Sequence, residues 1–284
     1  MPELPEVETI VRDLNRKLKN KKIAAILSSD KKVFQLSDSE KKSLIGKKIK
    51  SVRRRAKMII FDLSGSYLII HLKMTGQLVL KTKTGILAGG HPIINQGGGL
   101  PNKFTRVIFQ FNDRTVLFFN DVRRFGWVKL VNGADFLKFN QGIGVEPLSS
   151  DFTLGHFNQV LRQRGRTTIK QALLDQKYIA GIGNIYADET LYAAQIKPFR
   201  RAGSLKPEEI KRLWRAIPKI LNLAVKHRGT SFSDYVDARG QRGNFIKYLK
   251  VYGRAGKKCG SCGGLVRKAK LGGRGTHWCD RCQK

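Results

Sequence analysis

The chain has 284 residues, of which 41% are hydrophobic, so it is long enough to bury a substantial core and to divide into two domains. Its 55 lysines and arginines outnumber 21 acidic residues, and the net charge of +34 predicts a polyanionic partner, with nucleic acid favoured over membrane because the basic residues are scattered along the chain. No stretch approaches the roughly 18–20 apolar residues of a membrane span and no secretory signal opens the chain, so we expect a cytoplasmic protein with no membrane partner.

The amino terminus combines a potential nucleophile with acidic side chains. It opens Met-Pro-Glu-Leu-Pro-Glu, and removal of Met1 would leave the secondary amine of Pro2 at the end of the chain. A terminal amine titrates near pH 8, against about 10.4 for a lysine side chain, so much more of it is uncharged at neutral pH. Because the free amine attacks electrophilic carbon, Pro2 is a candidate nucleophile, with Glu3 and Glu6 as candidate acid/base partners.

The same residues also suit the start of a helix, which is the alternative interpretation. Pro5 fits the first helical position, and acidic side chains favour the positive end of the helix dipole. Apolar residues recur with helical spacing at Val7, Ile10, Val11 and Leu14. The pattern predicts a helix over about residues 5–19 whether or not the terminus is reactive.

Short strands dominate the chain from about residue 21 to residue 131. Predicted strands cover residues 49–52, 58–63, 67–72, 77–80, 106–111, 116–120 and 127–131. The Gly, Asn-Asp and Ser-Gly breaks between them are typical of an antiparallel sandwich or barrel, and not of alternating βαβ units. The glycine-rich segment 81–103 is predicted to be a mobile loop.

Helical periodicity replaces the strands after an interdomain linker at residues 132–150. Predicted helices cover residues 151–164, 168–177, 185–195 and 207–227, and Pro218 is expected to kink the last of them. The sequence therefore predicts a two-domain α+β protein. Its parts are an N-terminal β-sandwich domain with a flanking helix at residues 1–131, a helical domain at 151–254 and a C-terminal zinc finger at 255–284.

The zinc prediction comes from the four cysteines of the chain. Cys259 and Cys262 form one CxxC pair, and Cys279 and Cys282 form a second pair after an intervening basic hairpin. Two such pairs are typical of tetrahedral zinc, whereas two disulfides are disfavoured inside the cell. Four thiolates leave no open coordination position, so we expect one structural Zn²⁺.

Two turns are candidates for nucleic-acid contacts. The turn Gly-Ile-Gly-Asn, ending at Asn184, separates two predicted helices, and Asn184 is expected to cap the second helix beside a phosphate seat. A second turn exposes Arg123, Arg124 and Phe125 between two strands, as a wedge for a base stack, with Met74 as a second wedge. The alternatives are an ordinary helical hairpin for the first turn and core positions for Phe125 and Met74.

Together these motifs resemble the bacterial formamidopyrimidine-DNA glycosylase family, whose motifs they match in order from end to end. The resemblance implies a helix-two-turn-helix in the helical domain and a monomer located with the bacterial nucleoid. It implies an enzyme of base excision repair, a bifunctional DNA glycosylase and AP lyase that removes 8-oxoguanine and formamidopyrimidines and then cleaves the strand by β,δ-elimination. The expected partner is double-stranded DNA containing oxidised purines or abasic sites.

The resemblance also implies roles for individual residues. Pro2 would attack C1′ of the damaged nucleoside, Glu3 would be the general acid/base near the sugar, and Glu6 would support the flipped nucleotide. The residues that match the family's phosphate contacts are Lys57, which we group with the catalytic residues, and His71, Asn184 and Arg274. The residues that match the trio filling the vacated stack are Met74, Arg123, which faces the orphaned cytosine, and Phe125, with Arg124 beside them.

Two departures from the family pattern bear on these roles. Val122 stands where the family usually has proline before the paired arginines, which puts the rigidity of the wedge turn in doubt. The segment 238–244, in the place of the family's lesion-capping loop, is unusually basic because it contains Arg239 and Arg242.

Two other functions compete with this interpretation. A glycosylase resembling endonuclease VIII would prefer oxidised pyrimidines, but that group typically has glycine at the position of Leu4 and lacks the Arg-Arg-Phe wedge. A non-catalytic, zinc-dependent DNA-binding protein would use the amino terminus only as a helix start.

Overall fold

The computed structural model describes residues 1–90, 99–230 and 243–284. The chain forms two compact units, one comprising Met1–Gln141 and His227–Asn244, the other Gly142–Lys226 and Phe245–Lys284. Most of the basic segment 238–244 and the centre of the glycine-rich segment lie outside the described residues. Among the described residues, no helix has both the length and the apolar character needed to cross a membrane.

The first unit is built on two antiparallel sheets. Its strands are β1 (Ile23–Ser28), β2 (Ser51–Arg55), β3 (Met58–Asp62), β4 (Ser66–His71), β5 (Gly76–Thr82), β6 (Gly85–Gly90), β7 (Thr105–Phe111), β8 (Val116–Asp121) and β9 (Trp127–Asn132). One sheet has the order β1-β7-β8-β5-β6 and the other β2-β3-β4-β9. Apolar side chains from both sheets share one core, which confirms the predicted antiparallel sandwich.

Helix α1 (Leu4–Leu18) flanks the sandwich and contributes to the same core. Val7, Ile10, Leu14 and Leu18 are all buried, as their helical spacing predicted. The predicted helix at residues 5–19 is therefore confirmed to within one residue at each end.

The structure contains several elements of the first unit that we did not predict. It also shows that the loop prediction for the glycine-rich segment was wrong at residues 85–90. Residues 85–90 form strand β6, paired with β5, where we expected a loop. Strand β1 was missed because it is an edge strand with only two of its six residues buried. Helix α2 (Asp38–Leu44) is short, but its capping box, Ser37 with Glu40, was a usable signal. Helix α3 (Gly133–Gln141) occupies part of the expected linker and buries no residue, so it carries little apolar pattern.

The second unit is mainly helical, as expected. It contains α4 (Leu154–Gln163), α5 (Ile169–Leu174), α6 (Asn184–Ala193), α7 (Pro207–Lys226) and the hairpin of β10 (Val266–Leu271) and β11 (Arg274–Cys279). Helix α7 continues through Pro218 as one element. The hairpin pairs antiparallel from Val266 opposite Cys279 to Leu271 opposite Arg274, with two glycines at its tip.

A buried polar cluster holds the hairpin to α5 and α6. The Lys170 ammonium lies 2.6 Å from the Asp188 carboxylate and donates to the Thr276 hydroxyl at 2.9 Å, and the Asp188 carboxylate also accepts the backbone N–H of His277 at 2.8 Å. Lys170 and Asp188 are 1% and 0% exposed. Because a buried charge must be paired and hydrogen-bonded, this cluster specifies where the hairpin docks.

Residues at both ends of the segment 227–244 belong to the first unit, although we predicted the whole segment to lie in the helical domain. Arg228 pairs with Asp13 of α1, and Thr230 donates its backbone N–H to Glu6 at 2.8 Å. Hydrogen bonds between residues more than 200 positions apart leave no local sequence pattern, which explains the different boundary.

Candidate functional site

The amino terminus is held at the start of α1 by its own acidic residues. Pro2 and Glu3 are buried, and Met1 ahead of them is exposed. The Glu6 carboxylate accepts the backbone N–H of Glu3 at 2.9 Å, as in a capping box. The helix-start interpretation is thus confirmed, and the same bond orients the backbone that carries Pro2.

Glu6 also connects the amino terminus to the segment that begins at His227, which belongs to the same unit. Its other carboxylate oxygen accepts the backbone N–H of Thr230 at 2.8 Å. Gly229 has a φ of +80°, and a Cβ there would lie 2.6 Å from Glu6 Oε1. A glycine is therefore required for this close approach. Sequence reasoning missed Gly229 and Thr230, because nothing near them in the chain indicates Glu6 as a partner.

The sheet places Lys57 and His71 beside each other. Lys57 lies in the two-residue turn between β2 and β3, after Ala56, whose φ is 53°. His71 ends β4 and is paired with Met58, the neighbour of Lys57. The antiparallel register therefore brings together two candidate phosphate ligands that are 14 positions apart in the sequence.

The protonation state of His71 follows from its surroundings. Burial, and then the positive charges of Lys73 and Lys57, lower the pKa of His71 from 6.5 to about 3. Its Nδ1 accepts the backbone N–H of Lys73 at 2.9 Å, so the proton of the neutral ring sits on Nε2. His71 is therefore a neutral donor at physiological pH and not a cation.

The wedge candidates are exposed, which excludes the core alternative for both. Met74 is 46% exposed and Phe125 is 45% exposed. They help to line one open cavity of about 400 Å³, with Trp127 and Lys32 among its other residues. The Arg123 guanidinium lies 4.6 Å from the centre of the Phe125 ring, so it stacks on the wedge.

Arg124 has a partner within the protein. Its guanidinium donates two hydrogen bonds to the buried Asp30 carboxylate, at 2.5 Å and 3.1 Å. Burial alone would raise the pKa of Asp30, but the hydrogen bond and charge of Arg124 and two backbone N–H groups lower it overall. The salt bridge to Asp30 therefore anchors the Arg124 side chain within the protein. The predicted role of Arg124 in DNA binding stays a prediction.

The second unit brings Asn184 and Arg274 close to each other at the hairpin. Asn184 is the first residue of α6, after the N-cap Gly183, so the expected capping role of Asn184 is wrong. Its side-chain N–H donates instead to the carbonyl of Gly275 at 2.8 Å, next to Arg274. Its Oδ1 atom is one of three buried side-chain nitrogen or oxygen atoms that have no hydrogen-bond partner among the described residues.

The four cysteines form a compact cluster. Their sulfurs lie within 4.8 Å of one another, with Cys259 to Cys282 at 3.7 Å and Cys262 to Cys279 at 3.5 Å. Zn–S bonds of about 2.3 Å in a tetrahedron give sulfur separations of about 3.8 Å, so the cluster fits a zinc ion. All four are free thiols, which excludes the disulfide alternative.

Three family models match the chain. The formamidopyrimidine-DNA glycosylase N-terminal domain matches residues 1–128, the H2TH domain of the same enzyme matches 143–236, and a zinc finger found in FPG and IleRS matches 256–284. The chain belongs to the formamidopyrimidine-DNA glycosylase family. The family predicted from the motifs is thereby confirmed, and so are the fold class and the structural zinc site.

Individual relatives agree over the full length. A formamidopyrimidine-DNA glycosylase of Pelotomaculum thermopropionicum is 43% identical, with 100% of this chain and 99% of the relative aligned. The structure of a Lactococcus lactis FPG variant in complex with DNA containing Fapy-dG is 35% identical, with a TM-score of 0.88 and complete coverage of both chains. A Lactococcus lactis Fpg complex with DNA containing an abasic site is 34% identical, with a TM-score of 0.86 and 99% coverage of each chain.

We predict that His71 of this family member stays neutral between pH 5 and pH 8. Its low pKa and the fixed Nδ1 acceptor imply an Nε2-protonated ring throughout this range. Nitrogen NMR shifts of the imidazole would report both properties. A Lys73→Ala control should keep the tautomer, because the donor to Nδ1 is the backbone N–H. Titration of the ring near pH 6.5 would contradict the prediction.

Proposed function

We propose that this chain is a bifunctional DNA glycosylase and AP lyase that removes oxidised purines, 8-oxoguanine and formamidopyrimidines, from double-stranded DNA. The observation that carries the proposal is the buried amino terminus, where Pro2 is followed directly by the buried Glu3 and, in the first turn of α1, by the buried Glu6. Glu3 follows Pro2 directly in the chain, so Glu3 is the carboxylate we assign to acid/base work, whereas Glu6 accepts two backbone N–H groups, from Glu3 and Thr230.

The chemistry starts from the mature terminus. In the Met1–Pro2 peptide the nitrogen is an amide and does not attack carbon, so removal of Met1 is required to create the amine. The amine attacks C1′ and forms a C–N bond while the glycosidic bond breaks, and the damaged base leaves with the electron pair and takes up the proton that the amine nitrogen loses. Glu3 donates a proton to the sugar O4′ as the ring opens to an iminium.

The iminium explains why one enzyme both removes a base and cuts the strand. It acidifies the C2′ hydrogens, so loss of one of them expels the 3′ phosphate, and a second elimination expels the 5′ phosphate. The same intermediate is reduced by borohydride to a stable amine that joins protein and DNA. A glycosylase that used water as the nucleophile would form no such link.

The nucleotide must leave the base stack before Pro2 reaches C1′, at a cost of a few kcal/mol. The exposed pair Met74 and Phe125, with Arg123 stacked on Phe125, is suited to fill the gap that the extruded nucleotide leaves. We assign Arg123 the base edge of the orphaned cytosine, because guanidinium N–H groups are hydrogen-bond donors to base acceptors.

Phosphate binding is assigned to side chains from both units. Lys57 and Arg274 supply positive charge, His71 supplies a neutral N–H donor, and Asn184 lies at the start of α6, where backbone N–H groups favour a phosphate. Arg274 lies in the zinc hairpin. The position of its backbone is fixed because the carbonyl of Gly275, the next residue, accepts hydrogen bonds from both Asn184 and Lys170. We propose that the protein binds DNA as a monomer.

Borohydride trapping tests the nucleophile directly. We expect the mature protein to crosslink to an 8-oxoguanine duplex under borohydride, and peptide mapping to find the DNA on Pro2. Crosslinking through the peptide that contains Lys57 would overturn the assignment. Faster release of thymine glycol than of 8-oxoguanine opposite cytosine would instead support the endonuclease VIII-like alternative, and no crosslink would support a DNA-binding protein without activity.

Glu3→Gln should abolish base excision and leave DNA binding largely intact. Glutamine keeps the size and the acceptor oxygen of Glu3 but donates no carboxyl proton, while charged groups elsewhere hold the phosphates. Single-turnover excision and equilibrium binding on one duplex would separate the two effects. Glu208→Gln, at an exposed position in the first turn of α7, is the matched control and should change neither. Equal losses of binding and excision would contradict this division.

The salt dependence of binding should distinguish charged from neutral phosphate ligands. Lys57→Ala and Arg274→Ala should each reduce the slope of log affinity against log salt by about 0.9. His71→Ala should weaken binding without changing the slope, because the ring carries no charge. Arg274→Lys keeps the charge and serves as the control. A His71→Ala slope as shallow as that of Lys57→Ala would show that His71 binds as a cation.

A further inference from the structure

Asp121 joins the two turns that carry the wedge side chains. It ends β8 and is 0% exposed. One carboxylate oxygen accepts the Thr75 hydroxyl, and the other accepts the backbone N–H of Gly126 at 2.7 Å. Thr75 follows Met74 in the chain and Gly126 follows Phe125, so one carboxylate contacts both turns next to their wedges.

The backbone N–H of Arg123 adds two further hydrogen bonds between the turns. The backbone N–H of Arg123 lies 3.1 Å from the Thr75 hydroxyl oxygen and 3.2 Å from the Asp121 carboxylate, and it donates to both. The Thr75 hydroxyl therefore accepts from one turn while it donates to the carboxylate that ends β8. Removal of either side chain would leave the backbone N–H of Arg123 with one acceptor in place of two.

Both turns contain a residue other than glycine in the left-handed region. The φ angle is 50° at Lys73 and 56° at Arg124. Such a backbone persists only where its surroundings hold it, and it is concentrated at functional sites. The bonds to Asp121 hold one residue on either side of Arg124, and the salt bridge from Arg124 to Asp30 holds its side chain.

Gly126 is required for the approach of Asp121. A Cβ at position 126 would lie 2.7 Å from the Phe119 ring and 3.0 Å from the Asp121 carboxylate. Val122, which precedes the paired arginines, is 41% exposed and gives the turn no ring constraint. Among the described residues, the wedge turn is held by the Asp121 carboxylate and by the salt bridge from Arg124 to Asp30.

We propose that Asp121 is a positioning residue that fixes the Met74 turn and the Arg123–Phe125 turn as one rigid piece, so that the three side chains enter the base stack together. The inference rests on the proposed function, because it concerns the extrusion step of that reaction. Asp121 does not touch the nucleotide. Its effect is on the cost of opening the stack, since a pre-ordered wedge loses less conformational entropy on insertion.

The test compares a lesion that must be extruded with one that is already unstacked. Thr75→Val removes the hydroxyl link between the turns and keeps the side-chain shape, and Thr75→Ser restores the hydroxyl as the matched control. Asp121→Asn is the stronger change, because its amide places an N–H group against a backbone N–H donor. Each variant is assayed for single-turnover excision of 8-oxoguanine paired with cytosine, and for borohydride trapping at an abasic site in an unpaired bulge.

We expect Thr75→Val and Asp121→Asn to slow excision of the paired lesion roughly tenfold, the effect of one lost buried hydrogen bond. Trapping at the bulged abasic site should change by less than about twofold, because little stacking has to be opened there. Thr75→Ser should restore the paired rate. The fluorescence of 2-aminopurine opposite the lesion should rise more slowly in the impaired variants than in the wild type.

Three results would overturn the proposal. They are an unchanged paired rate in Thr75→Val, an equal loss on paired and bulged substrates, and equal behaviour of the valine and serine variants. If Asp121→Asn fails to fold, the threonine pair still decides the question. Failure of the proposed function looks different, because the wild-type protein would then release no base from the paired duplex and form no crosslink at the bulge.

Discussion

A carboxylate taken out of water must recover its hydrogen bonds from the protein, and in this chain that requirement organises the functional segments. Glu6 accepts N–H groups from Glu3 and Thr230, and Asp121 binds the two wedge turns. In the second unit, Asp188 binds Lys170 and the zinc hairpin. Each of these acids connects segments that are far apart in the sequence, so each fixes a relative position that local structure alone would leave free.

The distribution of charge supports the same division of labour. Acidic residues are few, and three of the buried ones, Glu6, Asp121 and Asp188, hold a helix start, the wedge turns and the hairpin. The proposed ligands for DNA are then basic or neutral donors, and in that proposal His71 binds phosphate as a neutral N–H donor. A directional N–H donor such as the one proposed for His71 would add geometric selectivity to the longer-range attraction of the basic side chains.

Much of the fold and the site was predictable because its signals are local. The apolar spacing along α1 and the alternation in β7 depend on neighbours within a few residues. The two CxxC pairs contain all four zinc ligands, so their spacing alone identifies the metal site. Strand β1 and helix α3 gave weak signals, because an element that buries few residues has little apolar pattern to detect. The glycine-rich strand β6 was missed because glycine is a poor indicator of strand, and pairing with β5 determines its conformation.

The sequence by itself determined the family and the zinc ligands, and it pointed to the candidate nucleophile and the candidate wedge residues, because each is a short motif whose chemistry depends on residue type and spacing. Only the tertiary structure decided that Arg124 is braced by Asp30, that Asn184 binds Gly275 in place of capping α6, and that Asp121 unites the wedge turns. These are hydrogen bonds between residues distant in the chain. Their partners are chosen by how the sheets and helices pack, and no local pattern encodes that choice.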